Sequence, residues 1–258
     1  MQEVVYIPIE NTYIPGILQL PNIDKKHPLV LMIHGMLSCK SGDGRLFPII
    51  ADALEKVGIA TLRIDSCSCG ESRRSRKLYK PTTLIEEAKV AFEYIKKDSR
   101  IDDTRIAIMG HSLGGLVAFN CAGLKPKCLI TLNGAMNKKR TEEYQLIDQY
   151  KIDDEGDKYI MQKQSDGRIE LLYEDFYKDV ATFPNRYEYE GSYLMCVATN
   201  DPHITMDTNY EFFENLNTQN KKMIVIEDAN HTFNAKTGDY TKLNELISKM
   251  LPWIEENL

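Results

Sequence analysis

Short apolar runs alternate with amphipathic stretches along most of this 258-residue chain. Residues 4–9 and 13–20 surround a turn-like Glu10-Asn11-Thr12 and predict an antiparallel hairpin. Further apolar runs, typical of strands covered on both faces, are found at 29–33, 59–64, 105–109, 128–132, 193–198 and 222–226. Stretches with helical spacing are found at 45–57, 82–98, 116–124, 207–216 and 240–256. This alternation predicts an α/β fold, with a mostly parallel, twisted sheet and helices on both of its faces.

The alternation stops between the strands predicted at 128–132 and 193–198, where the chain is rich in charge and in aromatic side chains. Loops of this length without structure of their own are uncommon in compact domains. We therefore expect residues 136–190 to form a lid or cap insertion, and residues 1–135 and 191–258 to form the core. The aromatic residues could line a substrate pocket or form a small core within the lid, and the sequence favours neither. They include Tyr144, Tyr150, Tyr159, Tyr173, Phe176, Tyr177, Phe183 and Tyr187.

Composition and charge exclude several classes of protein. With 43% hydrophobic and 27% charged residues, the chain is of the ordinary globular type. A formal net charge of −6 argues against a nucleic-acid partner. The short basic run Arg73, Arg74, Arg76 and Lys77 is expected in a solvated loop rather than at an anion site. No basic start precedes an apolar segment and no eighteen apolar residues run together, so we expect a soluble, cytoplasmic protein without membrane association.

The six cysteines show no paired framework, which predicts reduced thiols. Cys39, Cys67 and Cys69 could in principle meet at a metal, but their spacing matches no zinc pattern. We expect no metal site.

Candidate chemistry begins with the run Gly110-His111-Ser112-Leu113-Gly114-Gly115. A serine hydroxyl is a poor nucleophile, so it must be exposed beside a base that removes its proton. The Gly-x-Ser-x-Gly pattern permits a sharp strand-to-helix turn that presents the serine above the sheet. The pattern alone occurs by chance, but here it follows a predicted buried strand and opens a predicted helix. Ser112 is therefore the candidate nucleophile.

The base should be a histidine after the last strand, because with this motif the catalytic residues follow in the chain order serine, acid, histidine. His231 is in that position. His203 is the rival because it lies near the predicted acid. The other histidines have simpler interpretations: His27 in a surface loop, His34 in the oxyanion turn, and His111 within the elbow, directed away from the serine.

The acid must orient the imidazole and stabilise its protonated form. Asp201 follows the strand predicted at 193–198, at the carboxyl end where sites in such sheets are built. Asp228, three residues before His231, is the alternative, although an acid so close in sequence more often caps or turns the loop. Acyl transfer also needs donors for the oxyanion, and the backbone amides of Met36, in a glycine-bearing turn, and of Leu113 are the candidates.

Together these segments resemble the α/β-hydrolases, and within them the small bacterial esterases grouped with feruloyl (cinnamoyl) esterases and serine aminopeptidase-like hydrolases. The resemblance covers almost the whole chain and implies an α/β-hydrolase fold with a lid before the acid-bearing strand. The chain departs from many relatives at Met36, where they have an aromatic residue, and at Cys67-Ser68-Cys69. The matching segments are His34-Gly35, Arg63-Ile64-Asp65, Gly70-Glu71-Ser72, Gly110 to Gly115, Asn200-Asp201 and Asn230-His231-Thr232-Phe233.

The leading hypothesis is a serine esterase that cleaves small-molecule carboxylic esters, with feruloyl or cinnamoyl esters as one option, through an acyl-enzyme. It needs no metal and no organic cofactor, and a homodimer is compatible with it. A second hypothesis keeps Ser112, Asp201 and His231 but cleaves amides, as an aminopeptidase or acylaminoacyl-peptidase does. A third is a non-catalytic binding protein on the same fold, which the complete set of candidate residues disfavours.

Overall fold

An eight-stranded sheet forms the centre of the molecule in a computed structural model, which describes residues 1–22, 25–136, 150–164, 167–183 and 188–258. A separate three-stranded antiparallel sheet, β7-β8-β9, lies between β6 and β10 in the chain. In chain order the described strands are β1 Gln2–Ile9, β2 Thr12–Gln19, β3 His27–Ile33, β4 Ala60–Ile64, β5 Ile101–His111, β6 Cys128–Leu132, β7 Lys151–Ile152, β8 Lys158–Lys163, β9 Ile169–Tyr173, β10 Ser192–Ala198 and β11 Lys221–Ile226.

The central sheet has the spatial order β1-β2-β4-β3-β5-β6-β10-β11. Only β2 runs against its neighbours, and the remaining pairs are parallel. The parallel strands therefore end at one edge, where the register places Ile33 beside Gly110 and His111 beside Leu132. The segments that carry the candidate residues leave the sheet at this edge.

Helices cover both faces of this sheet. Because side chains alternate along a strand, Leu29, Leu31 and Ile33 of β3 join one hydrophobic cluster, while Val30 and Met32 join the other. The first cluster includes side chains of α2 and α3, and the second includes those of α1 and α6. The prediction of an α/β fold with a mostly parallel sheet is confirmed. The described helices are α1 Leu46–Lys56, α2 Pro81–Ile95, α3 Leu113–Asn120, α4 Glu174–Thr182, α5 Met206–Asn215 and α6 Thr241–Asn257.

The segment between β6 and β10 contains the small sheet and helix α4. Leu172 on β9 and Phe176, Tyr177 and Val180 on α4 are buried in the same hydrophobic cluster as α2 and α3. These side chains therefore pack against the face of the central sheet that α2 and α3 cover, rather than forming a core of their own. Tyr144 and Tyr187, which the sequence placed among the aromatic residues of this segment, lie outside the described residues.

The prediction that the basic run lies in a solvated loop holds for Arg73, which is exposed, but is wrong for Arg74. Arg74 is buried and pairs with Glu87 at 2.8 Å and with Glu10 at 3.1 Å. Arg76 pairs with Glu170 of β9 at 2.6 Å, and Lys77 is surrounded by three carboxylates of the β7–β8 loop. These cations are paired with acids distant in sequence, which local composition does not reveal.

His27 also differs from its prediction of a surface loop, because it is the first residue of β3 and is 3% exposed.

All six cysteines are free, and the described part of the chain holds no group of three His, Cys, Asp or Glu side chains suited to a metal ion. Burial raises the pKa of both Cys67 and Cys69 to about 12. Within the same described residues, none of the helices has the length and apolar character needed to cross a membrane.

Candidate active site

Ser112 lies in the tight connection between β5 and α3. Its backbone is strained, with φ 53° and ψ −121°, values that residues other than glycine rarely adopt. The turn is this tight because α3 approaches the end of β3: a Cβ atom at Gly114 would collide with the carbonyl oxygens of Ile33 and His34. The Ser112 amide donates to Leu132 O at 3.0 Å, and its carbonyl accepts from Gly115 and Ala135. Backbone hydrogen bonds thus fix both the amide and the carbonyl group of Ser112.

The acid and the histidine meet directly. His231 Nδ1 lies 2.6 Å from Asp201 Oδ2, and Asp201 Oδ1 accepts from the amides of His203 at 2.7 Å and Ile204 at 3.0 Å. Burial raises the pKa of Asp201, but the hydrogen bond from His231, its charge and these two amides outweigh burial, so the pKa is lowered overall. An ionised Asp201 accepts a hydrogen bond from Nδ1–H, which leaves the unprotonated Nε2 of His231 free to act as a base.

His111 and Asn133 connect the elbow to the loop of His231. The carbonyl oxygen of His231 lies 2.9 Å from His111 Nε2 and 2.9 Å from Asn133 Nδ2. Burial and the charge of His231 lower the pKa of His111 to about 4, so its ring is neutral and must donate from Nε2 to that carbonyl. Asn133 also accepts from the Ala198 amide at 2.8 Å, and so links the His231 loop to the end of β10. The sequence reasoning missed both roles, although Asn133 directly follows a strand at the sheet edge where sites form.

The two rival residues occupy other places. The ring of His203 meets that of His231 edge-on, with centroids 5.0 Å apart, while its amide donates to Asp201. Asp228 has a left-handed backbone, φ 56°, and its amide donates to Thr199 Oγ1 at 2.8 Å. The carboxylate that reaches His231 Nδ1 is therefore that of Asp201, thirty residues away in sequence.

The turn that follows β3 packs closely on the elbow. A Cβ atom at Gly35 would lie 3.2 Å from both Ser112 Cβ and His111 Nδ1, so a side chain there would press on the nucleophile. His34 fixes the turn from the other side, because its Nδ1 lies 2.7 Å from Gly35 O and its Nε2 accepts from the Ser66 amide at 3.0 Å. Burial lowers the pKa of His34, which favours the neutral ring that these two hydrogen bonds require.

The two candidate oxyanion donors lie on either side of this contact. Leu113 is the first residue of α3, where helix geometry leaves the amide without an intrahelical acceptor. Met36 directly follows Gly35, and within the described residues no carbonyl or side chain accepts from its amide. The Met36 turn thus lies against the elbow of Ser112 and Leu113, and the His231 loop contacts both the elbow and Asp201.

Comparison with known families shows what the chain is related to. Residues 73–258 match the model of the prolyl oligopeptidase family (Peptidase_S9), and residues 1–136 match the esterase FrsA-like model. The chain is an α/β-hydrolase of the serine hydrolase type. Each model covers more than half of the chain, so this hydrolase belongs to both families, and the two matches overlap over the elbow. The superfamily predicted from the sequence is confirmed, and the matches agree with the predicted class of carboxylic ester hydrolase.

Sequence relatives of this hydrolase cover only part of it. Two Escherichia coli proteins, each described as an uncharacterized 31.7 kDa protein in the traX-finO intergenic region, are 30% identical to it over 115 residues. That segment is 44% of the hydrolase and 39% of each relative. The match thus spans well under half of the relatives' length.

Solved structures match this hydrolase over nearly its whole length. Est1E from Butyrivibrio proteoclasticus, solved with ferulic acid bound, is 22% identical, with a TM-score of 0.81 and 98% of each chain covered. The α/β-hydrolase GrgF from Penicillium sp. sh18 is 13% identical, with a TM-score of 0.77, covering 100% of this chain and 99% of its own. At these identities the likeness shows the fold of the hydrolase.

Proposed function

We propose that the protein is a serine esterase that cleaves carboxylic esters of small molecules through an acyl-enzyme. The observation that carries the proposal is the 2.6 Å hydrogen bond between Asp201 and His231, on a loop bound to the residue next to Ser112. A serine presented on a strained turn and an imidazole oriented by a carboxylate are what nucleophilic catalysis requires.

In the proposed reaction, Ser112 Oγ attacks the acyl carbon while His231 Nε2 takes its proton. The resulting oxyanion is stabilised by the amides of Met36 and Leu113. When the ester C–O bond breaks, His231 returns the proton to the leaving alcohol, and the acyl group remains on Ser112. Water then attacks the acyl-enzyme with His231 again as base, which releases the acid and restores the serine.

For the acyl group, esters of the feruloyl or cinnamoyl type are the first candidates. Support comes from the likeness to Est1E, which binds ferulic acid, and from the aromatic side chains of the segment after β6. We assign residues 136–190 to a lid or cap over the active site. Phe176, Tyr177 and Val180 support that assignment because they face the core from the segment itself.

A peptidase or amidase is the second candidate function, because the longer of the two family matches is to the prolyl oligopeptidase family. The same catalytic residues would serve both reactions. Comparing turnover of p-nitrophenyl esters with that of aminoacyl anilides distinguishes the two functions, and faster turnover of the anilides would favour the peptidase over the esterase.

A cytoplasmic location and a homodimer are also proposals. Cell fractionation tests the location, and light scattering tests the oligomeric state.

The mechanism is tested with a fluorophosphonate probe and the Ser112→Ala variant. We expect the probe to label the wild type, and the variant to lose labelling and on the order of 10⁴-fold or more in kcat. Absence of labelling in the wild type would support a non-catalytic binding protein instead. A panel of esters from acetyl to long-chain to feruloyl then identifies the acyl preference.

A further inference from the structure

Tyr79 connects the proposed oxyanion turn to the segment after β6. Its side chain is 1% exposed, and its hydroxyl accepts a hydrogen bond from the Leu37 amide at 2.8 Å. Leu37 directly follows Met36, the proposed oxyanion donor. No step of the proposed ester hydrolysis uses Tyr79, and its place in the sequence gives no sign of this contact, which spans 42 positions.

The ring of Tyr79 contacts the insertion directly through Phe176 and indirectly through Arg76. It stacks on Phe176 of α4, with centroids 5.7 Å apart and planes 12° from parallel. The guanidinium of Arg76 lies 5.4 Å from the same ring, while Arg76 pairs with Glu170 of β9. One buried side chain therefore contacts the insertion through its ring and the oxyanion turn through its hydroxyl.

The hydrogen bond acts on a backbone position that needs support. Leu37 has φ 56°, in the left-handed region that is unfavourable for a branched apolar side chain. Its amide belongs to the peptide between Met36 and Leu37, so fixing this peptide limits the rotation that would turn the Met36 amide away from the oxyanion. Loss of the acceptor would leave a buried amide unpaired in a strained turn.

We propose that Tyr79 is a positioning residue: the insertion holds its ring, and its hydroxyl holds the turn that presents the Met36 amide to the oxyanion. This inference rests on the proposed esterase function for its kinetic consequence, but the structural link itself does not. Burial raises the pKa of Tyr79 well above its usual value, so the phenol stays neutral and the link does not depend on pH in the working range.

Tyr79→Phe is the direct test, because it keeps the ring on Phe176 and removes only the hydroxyl. We expect kcat for a p-nitrophenyl ester to fall about 10-fold to 100-fold, less than complete loss of an oxyanion donor, with KM within about twofold of the wild type. Affinity for a boronic acid, whose tetrahedral adduct places an oxygen at the oxyanion position, should fall by the same factor as kcat.

The matched control is Tyr189→Phe. Tyr189 is also buried, and its hydroxyl also bonds to the backbone, donating to Pro126 O at 3.0 Å before the opposite end of β6. Both variants lose one buried hydrogen bond, so both should lower Tm, but only Tyr79→Phe should change kcat and boronate affinity. A similar kcat in the two variants would overturn the positioning role.

A second variant and a measurement independent of activity complete the test. Phe176→Leu keeps the Tyr79 hydroxyl but loosens its ring, and we expect the same pattern at about threefold. Hydrogen exchange of the Leu37 amide should be faster in Tyr79→Phe than in the wild type. Unchanged exchange would show that the hydrogen bond is not made, whereas lack of fluorophosphonate labelling of the wild type would instead contradict the esterase function.

Discussion

The loops of the candidate active site and the insertion are held in place by different interactions. The elbow and the His231 loop are joined by His111 and Asn133, through hydrogen bonds between buried or partly buried neutral groups. The insertion is held to the core partly by charged side chains of one connecting segment, residues 75–82, where Lys77 meets three carboxylates. Exposed charge pairs are screened by salt, whereas buried neutral hydrogen bonds are not. Salt should therefore weaken the attachment of the insertion more than it weakens the contact between the elbow and the His231 loop.

Substitution of the acid that bonds to His231 should have the largest effect. In Asp201→Asn the neutral amide no longer fixes the His231 tautomer with a proton on Nδ1 and does not stabilise the imidazolium, so we expect kcat to fall about 10⁴-fold with little change in KM. Asp228→Asn is the matched control, since it makes the same change in the rival residue three positions from His231. A larger loss of kcat in Asp228→Asn than in Asp201→Asn would show that Asp228, not Asp201, is the acid that orients His231.

Buried His111 predicts an effect of pH on stability. Its folded-state pKa of about 4 is below the ordinary value of 6.5, so the unfolded chain binds this proton first as pH falls. The contribution of the neutral ring is fully present above about pH 6.5 and is lost toward pH 4, at about 1.4 kcal/mol per pH unit. Urea unfolding of wild type and His111→Gln across this range should show a shallower slope in the variant. Parallel slopes would contradict the buried neutral histidine.

The smallest effect is expected where the insertion is attached. In Lys77→Met three carboxylates lose their cation, and we expect KM for a large aromatic ester to rise a few fold while kcat for an acetyl ester is unchanged. Added salt should raise the KM of the wild type similarly and that of the variant much less. Lys249→Met removes a comparable surface pair with Glu245 on α6 and serves as control. An equal salt response in Lys77→Met and the wild type would remove the contrast between the two regions.

Elements that depend on neighbouring residues were predicted from the sequence, whereas contacts between distant residues were not. The strand predicted at 128–132 is observed as β6 Cys128–Leu132, and the turn before α3 lies where the glycine pattern placed it. Neither the pairing of Arg76 with Glu170 nor the hydrogen bond of Tyr79 to Leu37 could be predicted. Those contacts join residues tens of positions apart, and local spacing carries no information about them.

The sequence by itself determined the order of strands and helices outside the insertion and the candidate residues Ser112, Asp201 and His231. It could do so because strand and helix periods, and the glycine-bearing turn at Ser112, depend on near neighbours in the chain. Only the tertiary structure decided which carboxylate reaches His231, which protonation state His111 must have, and where the cations of the basic run are paired. Those outcomes depend on burial and on distances across the sheet, which arise only when the strands assemble.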